Sequence, residues 1–236
     1  MGAKRRPKIH GRQHVDLIMG GDVVVTMDDA RPLIQQGAVA VAEGRIVAVD
    51  SRRNIQAAYD AETLLPGEGM ALMPGLVNGH GHTAMVLFRG LADDLPLGDW
   101  LGQRIGPAET QFVSSEFVRL GTQLGCWEMI RGGTTTFVDM YFKSDAVAGV
   151  AEQAGLRALI TPGFLDFPSP GFSGWEDSFT AALDFVTRWR GRHPRNTPGL
   201  GPHAPYTVSP EHLIDAMEAA RRHNVPLTIH LSETEA

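Results

Sequence analysis

The chain has 236 residues, of which 43% are hydrophobic and 20% charged, a composition that excludes a disordered chain and suits a folded domain of some size. Its formal net charge of −6 argues against nucleic-acid binding, and no apolar run nears the roughly 18 residues that cross a bilayer. The single cysteine, Cys126, leaves no intramolecular disulfide and fits a reducing cytoplasm, where it reads as a buried structural thiol.

Residues 1–14 hold a cluster of basic side chains (Lys4, Arg5, Arg6, Lys8, Arg12) with no apolar segment behind them, so they read as a solvated, disordered arm and not as a secretory signal. Residues 15–72 carry short apolar runs broken by Gly20-Gly21, Asp28-Asp29 and Glu43-Gly44, the pattern of a small sheet. Glu43-Gly44 supplies the positive-φ residue of a tight hairpin over 38–49.

From residue 73 to 236 the rhythm changes to apolar strands alternating with amphipathic helices. Strands are expected at 75–82, 134–141, 157–163, 199–203 and 226–231, with helices at 114–131, 144–155, 175–191 and 209–223. Ser114 and Ser209 stand at helix starts, the second followed by Pro210 at the first helical position. Alternation of this kind implies parallel strands with crossover helices, and a closed barrel of that type needs eight.

The chemistry gathers at the C-terminal ends of these strands, where barrel and open α/β enzymes place their sites. Asn78-Gly79-His80-Gly81-His82 ends the first, and residues two apart in a strand share a face, so His80 and His82 can converge on one ion. His203 ends the fourth and His230 the fifth, with Glu233 three residues on. A metal held by such histidines lowers the pKa of a bound water, and a carboxylate such as Glu233 can take that water's proton and return it to a leaving nitrogen. His10, His14, His193, His212 and His223 fall in a tail, a loop or on helix surfaces and carry no such role.

These residues resemble the amidohydrolase superfamily. The stretch Met73-Pro74-Gly75-Leu76-Val77-Asn78-Gly79-His80-Gly81-His82 looks like its first-strand motif. Leu87-Phe88-Arg89-Gly90-Leu91-Ala92-Asp93-Asp94, Gly132-Gly133-Thr134-Thr135-Thr136, Pro202-His203-Ala204-Pro205-Tyr206 and His230-Leu231-Ser232-Glu233-Thr234 follow in order. They resemble the methylthioadenosine/S-adenosylhomocysteine deaminase branch, with triazine hydrolases and guanine deaminases as relatives. The resemblance implies a (β/α)8 barrel, truncated here after about the fifth strand, with the N-terminal part of a flanking β-sandwich. It implies His80, His82 and His230 as ligands of one divalent metal (zinc, with iron as the alternative) and Glu233 as the proton shuttle. It also implies Glu109 as a ribose-binding carboxylate and His203 as a substrate contact. For Glu109 the sequence itself shows only a loop carboxylate after a proline.

The implied reaction is hydrolytic deamination of an aminopurine nucleoside, a small-molecule substrate. Triazine, guanine or cytosine-type hydrolysis is the alternative, and an inactive barrel serving as a scaffold a further one. No membrane or nucleic-acid partner is expected, and a homo-oligomer stays open. Two departures stand out. Threonine is more usual where Gly79 and Gly81 stand, and the family's later histidine and aspartate, on the sixth and eighth strands, have no counterpart among these residues. The chain is therefore expected to be poorly soluble, or to bind metal weakly, on its own.

Overall fold

The computed structural model describes residues 11–234, which divide after Pro74 into two compact units. The first ten residues of the expected basic arm lie outside the described residues, whereas Gln13 and His14 already stand in a strand.

The N-terminal unit contains β1 (Gln13–Gly20), β2 (Val23–Val25), β3 (Leu33–Gln35), β4 (Gly37–Ala42), β5 (Arg45–Ser51), α1 (Arg52–Ala58), β6 (Tyr59–Leu65) and β7 (Ala71–Leu72). They form a four-stranded sheet in the order β5-β4-β1-β6 and a three-stranded one in the order β3-β2-β7. β4 is buried on both faces: Ala38 and Ala40 pack with Val15, Ile18 and Ile55, while Val39 packs with Val24 and Ile34. That alternation is the period of two of a strand held between two apolar layers. The hairpin over 38–49 forms as expected, with both Glu43 (φ 51°) and Gly44 (φ 71°) in the left-handed region that such a two-residue turn requires. The sequence pattern missed α1, a short helix started by Ser51, whose hydroxyl accepts the Asn54 N–H.

The C-terminal unit holds β8 (Leu76–Asn78), α2 (Gly106–Phe112), α3 (Ser115–Arg131), β9 (Thr134–Tyr141), α4 (Ser144–Ala154), β10 (Arg157–Phe164), α5 (Trp175–Trp189), β11 (Asn196–Pro198), β12 (Gly201–Pro202) and α6 (Pro210–His223). The sheet is parallel, in the order β11-β10-β9-β8, with β12 also on β10. Strand order follows chain order and each crossover is helical, the progression of a β/α barrel wall. Phe137, Ile160, Val118, Val147 and Phe185 form one core between sheet and helices, and Phe164, Trp175, Val186 and Leu200 a second.

Three expected strands differ. The first ends at Asn78, so His80 and His82 lie past it. Of the fourth, 199–203, only β12 (Gly201–Pro202) forms, and a separate β11 (Asn196–Pro198) precedes it. The segment 226–231 is no strand, although it runs beside β12 through Leu200 N–H to Pro226 O, Thr228 N–H to Leu200 O and His230 N–H to His203 O, each 3.0 Å. Pro198, Pro202 and Pro226 each lack a donor, which thins the ladder on this side.

Two glycines of α3 face the turn that follows the histidines. A Cβ on Gly121 would lie 2.4 Å from Ala84 O, and one on Gly125 would lie 2.6 Å from Thr83 Cγ2. The helix thus seats directly against the backbone of the 3-10 turn Thr83–Phe88.

Candidate metal centre and active site

Beyond β8 the chain stays tied to β9. Met140 N–H donates to Gly81 O at 3.0 Å, and Thr83 N–H donates to Asp139 Oδ1 at 2.6 Å. His82 and His80 therefore converge with His230, with ring centroids 4.9–5.2 Å apart. Their convergence comes from this anchored loop and not from strand alternation, which corrects the sequence argument. One ligand nitrogen from each of the three lies within 4.8 Å of the others.

The orientation of two rings can be read from their partners. His82 Nδ1 lies against Met140 O, and His230 Nδ1 against His203 O at 2.8 Å. A carbonyl only accepts, so both Nδ1 atoms carry the proton and both Nε2 atoms present lone pairs. Those two Nε2 atoms face each other at 3.3 Å with no proton to share. Burial, then the neighbouring histidines, lowers the His80 pKa; burial leads for His82 also, where the Met140 bond opposes it. Neutral imidazoles aimed at one point form a donor set fit for a divalent ion of borderline softness.

A cavity of about 380 Å³ opens beside the cluster, in the size range of small-molecule sites. His82, Glu109, Tyr141, His203, Tyr206 and Glu233 line it, alongside apolar side chains such as Trp100, Leu101 and Phe167. Glu109 belongs to α2 and not to a loop, and burial raises its carboxyl to about 7 against the opposing bond from Tyr141, whose hydroxyl donates to Oε1 at 2.8 Å. His203 is lowered to about 4, first by burial and then by His230 and His82. Its Nδ1 lies 2.9 Å from Thr207 Oγ1, whose own proton reaches Ala204 O at 3.1 Å.

Glu233 lines the cavity directly after Ser232, which takes a left-handed φ of 53°, a strained conformation of the kind that functional sites retain. Tyr206 O–H donates to Glu233 Oε2 at 2.6 Å. The cavity wall at 165–170 is pinned by Asp166, which accepts from Ser209 N–H and pairs with His212 Nδ1, each at 2.8 Å. The His212 ring stacks on Trp175 at 4.0 Å and 2°.

All six residues singled out in the sequence thus come to one place: the three histidines as a cluster, with His82, His230, His203, Glu109 and Glu233 on the cavity. The sequence reading missed Asp139, Tyr141 and Tyr206. Asp139 was visible as the one charge in an otherwise uncharged buried strand, Thr134–Tyr141.

The amidohydrolase family profile matches residues 71–236. The chain belongs to the amidohydrolase family. It is 44% identical over 226 residues to a 5-methylthioadenosine/S-adenosylhomocysteine deaminase of Syntrophobacter fumaroxidans, covering 96% of this chain and 51% of that one. Among solved structures it is similar to a zinc-bound adenosine deaminase of Xanthomonas campestris, with a TM-score of 0.85, 35% identity, and 95% of this chain and 51% of that one covered. A guanine deaminase of E. coli shares the fold at a TM-score of 0.77, with 20% identity and 92% and 54% covered. The chain spans about half the length of the curated relatives it matches.

Proposed function

We propose that these residues form the larger part of the active site of a hydrolytic deaminase for adenosine-type nucleosides, the class that includes 5-methylthioadenosine and S-adenosylhomocysteine. The observation that carries this reading is the meeting of Glu233, Glu109 and the histidine cluster on one cavity. The 44% identity to a deaminase of that description supports the substrate class.

His80, His82 and His230 would hold the metal, with zinc the ion that best suits three neutral imidazoles. When bound, such an ion supplies a water of lowered pKa. Glu233 would accept a proton from the attacking water as its oxygen adds to the amino-bearing ring carbon, and would deliver it to the departing nitrogen, so that water is consumed and ammonia released. Tyr206 holds the carboxylate in the orientation this transfer needs. His203 contacts the purine, the apolar wall covers its faces, and Glu109 meets the ribose hydroxyls. Glu109 argues against a triazine substrate, which has no hydroxyl to engage a buried carboxylate. A small-molecule hydrolase with one buried thiol and, among the described residues, no helix long and apolar enough to span a membrane suits the cytoplasm.

An ammonia-release screen over methylthioadenosine, S-adenosylhomocysteine, adenosine, guanine and an aminotriazine, with chloride release read for a chlorotriazine, tests the assignment. Glu233→Gln should cut turnover by roughly 10²–10⁴-fold while zinc content is retained. Equal rates in both forms, or a preference for the triazine, would remove the reading.

A further inference from the structure

Asp139 sits in β9 with its side chain fully buried. Oδ1 accepts the Thr83 N–H, yet Oδ2, also buried, has no hydrogen-bond partner among the described residues. Leaving a buried acceptor unpaired is destabilising, so such a group calls for a reason.

The histidine cluster shows the complementary gap. His82 and His230 each give a ring N–H to a backbone carbonyl, which fixes the nitrogen turned toward the ion. Among the described residues the His80 ring makes no such bond, while its backbone N–H donates to Asn78 Oδ1 at 3.3 Å. The parallel register pairs Asn78 with Phe137, so the loop that follows β8 runs beside residues 138–140, the stretch that holds Asp139. The Met140 N–H to Gly81 O bond shifts the register by one past the end of β8 and sets Gly81, the residue next to His80, level with Asp139. Each group also feels the other's charge: Asp139 acts to raise the His80 pKa, and His80 to lower that of Asp139.

We propose that Asp139 is a positioning residue of the metal centre: with Oδ1 fixed on the Thr83 N–H, Oδ2 is held to accept the His80 ring N–H that faces away from the ion. This rests on the metal reading above. Carboxylates behind metal-bound imidazoles fix the ring tautomer and raise ligand basicity, and losing one typically weakens metal binding 10–100-fold.

Asp139→Asn tests it, because the amide keeps the size of the side chain and an oxygen for Thr83 but turns a donor toward His80. Zinc affinity is measured by competition with a chromophoric chelator, melting on the metal-free chain, and the histidine tautomers by 15N NMR. The expected result is about 10–100-fold weaker zinc binding and a changed His80 tautomer, with metal-free melting close to that of the parent. Zinc affinity within about twofold of the parent overturns the proposal. So does a loss of affinity that comes with a metal-free melting loss as large as that of Asp139→Ala, since Asp139 would then serve folding alone. A parent chain that takes up no zinc sinks the metal reading itself, an outcome distinct from a variant that binds as the parent does.

Discussion

Glu109 and Cys126 show what burial does to single ionisable groups. Burial raises Glu109 to about 7, against an ordinary value of 4.5. A carboxyl raised in the folded state contributes stability that is fully present below the unfolded pKa and is lost as pH climbs to the folded one. At roughly 1.4 kcal/mol per pH unit, discounted for the open cavity mouth, the loss between pH 4.5 and 7 is on the order of 1–3 kcal/mol. Thermal melts of the metal-free chain at pH 5 and pH 8 should show this fall, and Glu109→Gln should reduce it. An unchanged slope in the variant would place the source elsewhere. Cys126, 1% exposed and pushed up to about 12 by burial, should resist a thiol reagent at pH 8 until the chain is denatured. Of the site residues, those at the expected strand ends were readable because histidines and a carboxylate recurred at equivalent places. Tyr141 and Tyr206 were not, because a tyrosine at a strand end or in a loop carries no signal until its hydroxyl is seen to reach a carboxylate.

Among the elements, α3 gives a test in which local preference and packing oppose each other. Alanine is better than glycine in a helix interior by up to about 1 kcal/mol. At Gly121 the added methyl would meet the backbone of Ala84 at 2.4 Å, so packing should win. Gly121→Ala should lower stability by about 1–3 kcal/mol in a denaturant titration, and a gain would mean that the turn beside the histidines yields easily. The helices were legible because their caps and apolar faces are local: Ser114 and Ser209 both cap as expected, by accepting from Phe117 N–H and His212 N–H. The ends of β8 and the absence of a strand at 226–231 were not legible, since apolar spacing does not show where ladder bonds run out. α1 was hidden by its length, too short to display a helical period.

At the scale of the whole chain, the parallel progression from β8 to β12 was foreseen from alternation alone, because each crossover helix carries its own signal. The sheet's β8 side is a short strand whose Leu76 and Val77 are 50% and 67% exposed. An apolar parallel edge of this kind recruits other chains. Light scattering should therefore rise with protein concentration, and Val77→Lys should suppress that rise without shifting the far-ultraviolet spectrum. Scattering that is equal in parent and variant would acquit this edge.

The ring stack of His212 on Trp175 gives the molecule a light source of its own. Trp175 starts α5 and His212 belongs to α6, while Asp166, which grips His212, belongs to the cavity wall. Emission from that indole depends on whether the imidazole lies against it. With the other three of the four tryptophans replaced, its colour and intensity would report the docking of the wall in real time, with no dye attached.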